Sequence, residues 1–449
     1  MDGPTVVGRG EARPDDGAAR ARFLIQRPGR NEPAEALMSP RLSRVQLRVR
    51  PVADGIEVES AGRSPLFWNG QAVASAHAKA GDTLVVGREL LLVVVRRARS
   101  IPALRVGGSE HAFAVGAPDR HGIVGESAAV WRLRDAMAFV ARSNEHVLIF
   151  GSSGTGKELA ARAIHAMSAR SSRKLVSRNA ATLPESLADA ELFGQTKDYP
   201  NPGAPERPGL VGEADGSTLF LDEIGEISPS LQAHLLRVLD RGGEYQRLGE
   251  SRVRTADLRV VAATNRKLEE LKHDLAARLT IRLEVPSLAA RREDVPLIAI
   301  HLLRLFAADH PDVAKQFFSN GDADKGEARI DPLLLEALVR HPLPLETRDL
   351  RRLLWQAVAD SRGDQVEIGE EVRRGLDASG SATSSPDRPA AEAPPEPSER
   401  EIEGALARHR GNVTRAAAEL GLKNRFALYR RMRKLGMSGA PADDEPNTD

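Results

Sequence analysis

The stretch Gly151-Ser152-Ser153-Gly154-Thr155-Gly156-Lys157 constrains this chain more than any other. It follows the apolar run Val147-Leu148-Ile149-Phe150 and leads into a helical pattern. A strand, a glycine-rich turn, a lysine and a helix start make a cradle for phosphate. Glycines let backbone N–H groups converge on anionic oxygens, and the helix N-terminus adds its dipole. Lys157 supplies a point charge for β- and γ-phosphates. Glu158 stands where the general motif carries a Ser or Thr that ligates magnesium.

Further along, Ser217-Thr218-Leu219-Phe220-Leu221-Asp222-Glu223 reads as an apolar strand ending in two carboxylates. Asp222 can hold Mg2+, directly or through water, and Glu223 can polarise an attacking water. The two stretches together point to a nucleoside triphosphate, ATP, with Mg2+.

At 449 residues the chain has room for several domains. A net charge of +1 singles out no class of partner. The absence of cysteine excludes disulfides and thiolate metal sites and fits a reducing compartment. No apolar run approaches the roughly 20 residues that cross a bilayer. Asp2, Asp15 and Asp16 do not suit a secretory leader, so a cytoplasmic protein with no membrane partner is expected.

Composition and periodicity divide the chain. Residues 1–20 are polar and read as a disordered tail. Over 21–97, short alternating runs such as Val45 to Arg50 and Gly55 to Glu59, separated by turn residues, predict an all-β sandwich. Residues 98–120 read as a linker. From 121 to 286 helical and strand patterns alternate, predicting α/β with a parallel sheet, and 287–376 is helical. A Ser/Pro/Ala/Glu-rich linker spans 377–398, helical periodicity returns over 399–437, and 438–449 is a polar tail.

Residues 121–360 resemble the AAA+ ATPase domain of bacterial enhancer-binding proteins, the activators of sigma-54 RNA polymerase. The matching stretches are Ile123-Val124-Gly125-Glu126-Ser127, Gly154-Thr155-Gly156-Lys157-Glu158, Glu191-Leu192-Phe193-Gly194, Thr218 to Glu226, Val261 to Asn265 and Arg291-Arg292-Glu293-Asp294-Val295-Pro296. The resemblance accommodates Glu158 and adds Val124 and Gly125 to the nucleotide site. It makes Thr264 and Asn265 the first sensor of the γ-phosphate and Arg348 the second, on the helical lid. It makes Asn179 the residue that restrains Glu223. It also implies an oligomer, from dimer to hexameric or heptameric ring, in which Lys272 and Arg278 reach a neighbour's nucleotide as arginine fingers. Lys272 carries charge without the planar fork of a guanidinium. The family's Gly-Ala-Phe-Thr-Gly-Ala loop, which meets sigma-54, is replaced by Lys197-Asp198-Tyr199-Pro200-Asn201-Pro202-Gly203-Ala204-Pro205, and Leu343 and Leu345 replace a Trp and a Gly of the lid.

Residues 399–436 resemble a Fis-type helix-turn-helix through Gly411-Asn412-Val413-Thr414-Arg415-Ala416-Ala417-Ala418-Glu419-Leu420-Gly421-Leu422. Ala416 and Ala417 allow helices to cross closely. The second helix would enter the major groove. Asn424, Arg425 and Phe426 at its start would face base edges, and Arg430, Arg431, Arg433 and Lys434 would meet phosphates. The implied partner is enhancer-like, pseudo-palindromic DNA.

Residues 21–97 resemble a forkhead-associated (FHA) domain, a sandwich that binds phosphothreonine peptides. The matches are Gly29-Arg30, Leu42-Ser43-Arg44, Asn69-Gly70 and Ala80-Gly81-Asp82. The resemblance implies a phosphopeptide site at Arg30, Ser43, Arg44 and Ser64. Gln46 stands where the family has a structural histidine, and Ser64 where its first Asn-Gly pair begins. The expected whole is multidomain: an FHA-like sandwich, an AAA+ core with helical lid, and an all-α helix-turn-helix tail. Two functions fit it: an ATP-driven activator acting on sigma-54 polymerase, or an ATP- and DNA-binding regulator that does not engage sigma-54, such as a repressor, co-regulator or phosphopeptide-responsive adaptor.

Overall fold

The structure is a computed structural model that describes residues 5–11, 19–106, 113–240, 242–380, 399–409 and 413–420, with positions 428, 432 and 437. It forms two units, Met1–Thr383 and Ser384–Asp449.

The first unit begins with β1 (Thr5–Val7), β2 (Ala19–Arg20), β3 (Leu24–Arg27), β4 (Arg30–Pro33), β5 (Leu47–Val52), β6 (Gly55–Ser60), β7 (Leu66–Trp68), β8 (Gln71–Val73), β9 (Ser75–Ala78), β10 (Thr83–Val86) and β11 (Leu90–Val93). They build sheets β2-β1-β5-β6-β9 and β11-β10-β7-β8, with β3-β4 a separate hairpin. In β5 the period-two pattern sends Leu47 and Val49 inward, where they meet Leu66, Leu84 and Val86 of the facing sheet. Outward, Arg48 lies opposite Glu59 and Arg50 opposite Glu57, the opposite-charge pairing that supports an antiparallel ladder. The disordered tail expected over 1–20 does not hold for β1. Val6 and Val7 are buried and β1 pairs antiparallel with β5. So short an apolar run shows no periodicity by itself; the open edge of β5 recruits it.

The α/β core comprises α1 (Ala128–Ala141), β12 (Val147–Phe150), α2 (Lys157–Ala166), β13 (Val176–Asn179), α3 (Glu185–Phe193), α4 (Gly209–Glu213), β14 (Thr218–Asp222), α5 (Pro229–Leu239), the hairpin β15 (Glu244–Tyr245) and β16 (Arg254–Thr255), β17 (Arg259–Thr264), α6 (His273–Arg278) and β18 (Ile281–Glu284). Its sheet order is β13-β14-β17-β12-β18, all parallel. Helices cover both faces, so β14 and β17 read as unbroken apolar runs rather than alternating ones. Leu148, Ile149, Leu219, Leu221, Val260 and Val261 are fully buried, each contributing about 1.5–3 kcal/mol. Arg259 is the exception: its guanidinium donates to Val140 O at the C-terminal end of α1, and burial pushes its pKa down to about 10.

The lid is α7 (Val295–Asp309), α8 (Pro311–Phe317), α9 (Pro332–Arg340), α10 (Thr347–Asp360) and α11 (Glu370–Gly380). Its helices share one apolar core, against which Leu91 and Val93 of the sandwich also pack. The sandwich touches both halves of the ATPase-like region. Arg27 pairs with Glu126 at 2.5 Å, just before α1. On the lid, the buried Glu336 of α9 accepts from Thr83 Oγ1 at 2.7 Å and Gly70 N at 2.9 Å, and Arg88 Nε donates to Asp331 at 3.0 Å.

In the second unit, α12 (Glu399–Arg408) and α13 (Val413–Glu419) pack Ile402 and Ala405 against Ala416 and Ala417. Asn424, Arg425, Phe426, Arg430, Arg431, Arg433 and Lys434 lie outside the described residues. Among the described residues no helix is long and apolar enough to cross a membrane.

Candidate nucleotide site

In this sheet order, the carboxyl ends of β12, β17 and β14 lie side by side, where open α/β sheets receive ligands. The loop after β12 turns through left-handed backbone at Gly151, Gly154 and Gly156 and opens α2. At Gly154 a Cβ would come within 2.4 Å of Leu345 O on the lid, so a side chain there is excluded twice, by φ and by contact. Lys157 is buried, and its ammonium donates to Gly151 O at 2.9 Å and Ser152 O at 3.3 Å. Burial holds its pKa below the ordinary lysine value, although Glu223 and Asp222 oppose this. The same ammonium lies 4.0 Å from the Glu223 carboxylate.

Asp222 ends β14, and Glu223 follows it in left-handed backbone (φ 51°). That is uncommon for a side chain with a Cβ and typical of functional turns. The Glu223 carboxylate accepts from Asn265 N at 3.2 Å, joining the ends of β14 and β17. Thr264 is fully buried with its hydroxyl accepting from Arg266 N. Arg348, at the start of α10, donates to Ser153 Oγ at 2.9 Å and so closes the lid onto the loop.

Not every candidate meets this cluster. Asn179 does lie beside Asp222 in the sheet register, but its carboxamide oxygen accepts from Ala181 N at 2.9 Å and caps a short 3-10 turn. The backbone of Asn265, rather than the side chain of Asn179, holds Glu223. The Glu158 carboxylate is drawn to Arg162, one turn along the exposed side of α2. Arg278 pairs with Asp240 at 2.5 Å, away from this cluster. Lys272 precedes α6.

Several contributors carried no role in the sequence. A mostly apolar cavity of about 220 Å³ beside the loop is lined by Ile123, Leu159, Ile298, His301 and Leu302 among others, together with Val124, which the resemblance had already placed at the nucleotide site. Gly125, also placed there by the resemblance, packs tightly against Asp294, since a Cβ would lie 2.7 Å from its Oδ2. Buried Arg291 donates to Thr155 O at 3.3 Å. Its place in Arg291-Arg292-Glu293-Asp294 was the available signal. Glu346, buried in left-handed backbone beside Leu345, accepts from Leu288 N at 2.6 Å. No local pattern marks it.

Burial raises the Glu346 carboxyl above the usual range. An acid whose folded pKa exceeds its unfolded value of about 4.3 favours folding fully below that value and loses the contribution as pH climbs through the folded one. Glu346→Gln, which keeps an acceptor for Leu288 N, is therefore expected to melt at a higher temperature than the parent at pH 7. The advantage should shrink as the pH is lowered toward the carboxyl's unfolded value. Melting curves at several pH values test this; a difference independent of pH would contradict it.

Elsewhere in the sandwich, the buried Gln46 side chain links two loops. It accepts from Ser43 N at 3.1 Å and donates to Ser64 O at 2.9 Å. Ser43, Ser64 and the neighbouring Arg44 are thereby brought together. Arg30 sits in the β3-β4 hairpin, paired with Glu32 at 3.2 Å, and makes no recorded contact with that cluster among the described residues.

The divergent loop is short and closed. Gln195 bridges both Arg207 and Leu248, and Asp198 N donates to Ala204 O at 2.9 Å. The Tyr199–Pro200 bond is cis, and the Tyr199 ring lies against Gly249.

The family described as the Sigma-54 interaction domain matches residues 123–289, and the Fis family of bacterial regulatory proteins matches 396–435. The transcriptional regulatory protein ZraR of Salmonella typhimurium is 39% identical over 316 residues, 68% of this chain and 67% of that protein. The Nif-specific regulatory protein of Bradyrhizobium diazoefficiens is 47% identical over 197 residues, 42% of this chain and 34% of that one. A crystal structure of NtrX from Brucella abortus in complex with ADP shares 30% identity across 70% of each chain, with a TM-score of 0.49. The chain belongs to the family of bacterial transcriptional regulators that join a sigma-54 interaction domain to a Fis-type DNA-binding segment.

Proposed function

We propose that this regulator binds and hydrolyses ATP in an AAA+ ring, holds enhancer-like DNA through its Fis-type tail as a dimer on a pseudo-palindrome, and spends the hydrolysis on sigma-54 polymerase. The observation that carries the catalytic reading is the convergence of Lys157, Asp222, Glu223, Asn265 and Arg348 at the carboxyl ends of adjacent strands. Backbone N–H groups of residues 151–156 cradle the phosphates, and Lys157 leaves the loop carbonyls for the β- and γ-oxygens. Asp222, beside Glu223 and in no larger cluster of acidic or histidine side chains among the described residues, suits Mg2+ carried in on phosphate rather than caged by protein. When bound, Mg2+ neutralises charge on the phosphate oxygens. Glu223 takes a proton from the attacking water. Thr264 and Asn265 meet the γ-phosphate from the core, and Arg348 meets it from the lid. Arg278 and Lys272 reach the site of a neighbouring subunit.

A second reading has its own support. The loop at Lys197–Pro205 lacks the Phe-Thr pair and is pinned at Gln195 to both Arg207 and Leu248. In that reading ATP and DNA are bound but sigma-54 is not engaged. Open-complex formation on a sigma-54 promoter with ATP separates the two. Opening by the purified protein supports the first. ATP hydrolysis and specific DNA binding without opening support the second. The cluster of Ser43, Arg44 and Ser64 suits phosphothreonine, and titration with a peptide in phosphorylated and plain forms tests it.

A further inference from the structure

We infer that Asp240 is a positioning residue for catalysis between subunits: it aims the guanidinium of Arg278 at the nucleotide of a neighbouring protomer. The inference rests on the finger role proposed for Arg278.

Arg278 is the last residue of α6, a short helix fixed by the burial of Leu275 and Ala276. Its side chain leaves the domain at the rim of an open cleft of about 720 Å³ that Asp240 also lines. An arginine on such a surface samples many rotamers, and a finger must be held in one to act at a transition state. Asp240 has the fixed position this requires. It caps the C-terminus of α5, its N–H bonded to Leu236 O at 3.1 Å and its carbonyl accepting from Gly243 N at 3.0 Å. Its carboxylate takes the Nε of Arg278 at 2.5 Å. Nε is the one donor that can be engaged without covering the outer fork. Among the described residues, neither Nη of Arg278 makes a hydrogen bond, so both terminal amines are left for a planar, bidentate anion such as a phosphoryl group. Both partners of the pair are substantially exposed, so the pair adds little to stability, and a purely structural reason for it is weak.

The test uses the full chain. Asp240→Asn and Asp240→Ala should lower kcat at saturating ATP and saturating protein by about 10- to 100-fold, the range for misplacing a group that must be aligned. KM, binding of a fluorescent ATP analogue, oligomer size by sedimentation and melting temperature should stay at parental values. Asp240→Glu should recover most of the loss. Unchanged kcat in Asp240→Ala, or a loss that tracks weaker nucleotide binding or smaller oligomers, overturns the proposal. Subunit mixing provides a second arm. Asp240→Ala protomers keep an intact ATP site, and Lys157→Ala protomers keep an intact finger, so mixing the two impaired proteins should raise turnover above that of either alone. Recovery with Arg278→Ala plus Lys157→Ala but not with Asp240→Ala plus Lys157→Ala overturns the role of Asp240 alone. Full activity of Arg278→Ala by itself removes the finger beneath it, a distinct outcome.

Discussion

Arg278→Ala is expected to lower ATP turnover by about 1,000-fold or more, the effect of withdrawing a guanidinium from a phosphoryl transition state, while ATP affinity stays within about twofold of the parent. The split between rate and affinity follows from the geometry. Every group near the phosphate cradle belongs to the strand ends, the loop or the lid: Lys157 beside Glu223, Asn265 on Glu223, Arg348 on Ser153. Arg278 contacts none of them and pairs with Asp240 instead, so its removal leaves one protomer's grip on nucleotide intact. Substrate and transition state differ in the charge on the equatorial oxygens, and a group that meets only the latter changes kcat rather than binding. Lys272→Ala is expected to cost less, since an ammonium offers no fork. Steady-state hydrolysis at several protein concentrations, alongside nucleotide titration, reads both quantities. Parental turnover in Arg278→Ala, or a rate per subunit that ignores protein concentration in the parent, would refute catalysis across a subunit boundary.

The parts of this site that were legible in the sequence are those fixed by short-range backbone geometry. The glycine pattern before Lys157 and the apolar run before Asp222 each specify a strand end and the turn beyond it, and the parallel sheet then sets them side by side. Side chains that act across the fold left weaker traces. Glu346 reaches Leu288 N from far along the chain, in a left-handed backbone conformation that no residue type announces. Asn179 matched a position, yet its carboxamide oxygen finds a backbone donor two residues away, the local competition that Asn side chains commonly win. In the sandwich, Gln46 joins Ser43 to Ser64 through an amide that both accepts and donates, a link that no local pattern marks. The contact between sandwich and lid left no trace at all, since Thr83 and Glu336 are unremarkable members of a strand and a helix until the two surfaces meet.

That contact gives the second large effect. Glu336→Ala is expected to destabilise the first unit by about 1–3 kcal/mol, the cost of taking the nearer acceptor from a buried hydroxyl. That hydroxyl is Thr83 Oγ1, which keeps only a longer 3.3 Å bond to Asn69 Oδ1, whereas Gly70 N, on the same oxygen of Glu336, belongs to an exposed residue and can turn to water. At about 2–4 °C per kcal/mol for a domain of this class, the change is readily seen in a calorimetric scan. Charge is not what the site requires. Both partners are neutral, and Asn69 Oδ1 already accepts from Thr83 N at 3.0 Å to set the strand end. Glu336→Gln, which keeps the acceptor, should therefore melt close to the parent. Thr83→Val removes the donor and keeps the shape, so in a double-mutant cycle Glu336→Ala should cost less on the Thr83→Val background than on the parent. Additive losses would mean that the hydrogen bond does not couple the two surfaces. The sandwich also meets the lid through Arg88 and Asp331 and through Leu91 and Val93, and the core through Arg27 and Glu126, so loss of the Glu336 contact should loosen the lid end without detaching it. Protease access to the 98–106 connection should then rise without release of an intact sandwich, and rise further when Glu336→Ala is combined with Glu126→Ala.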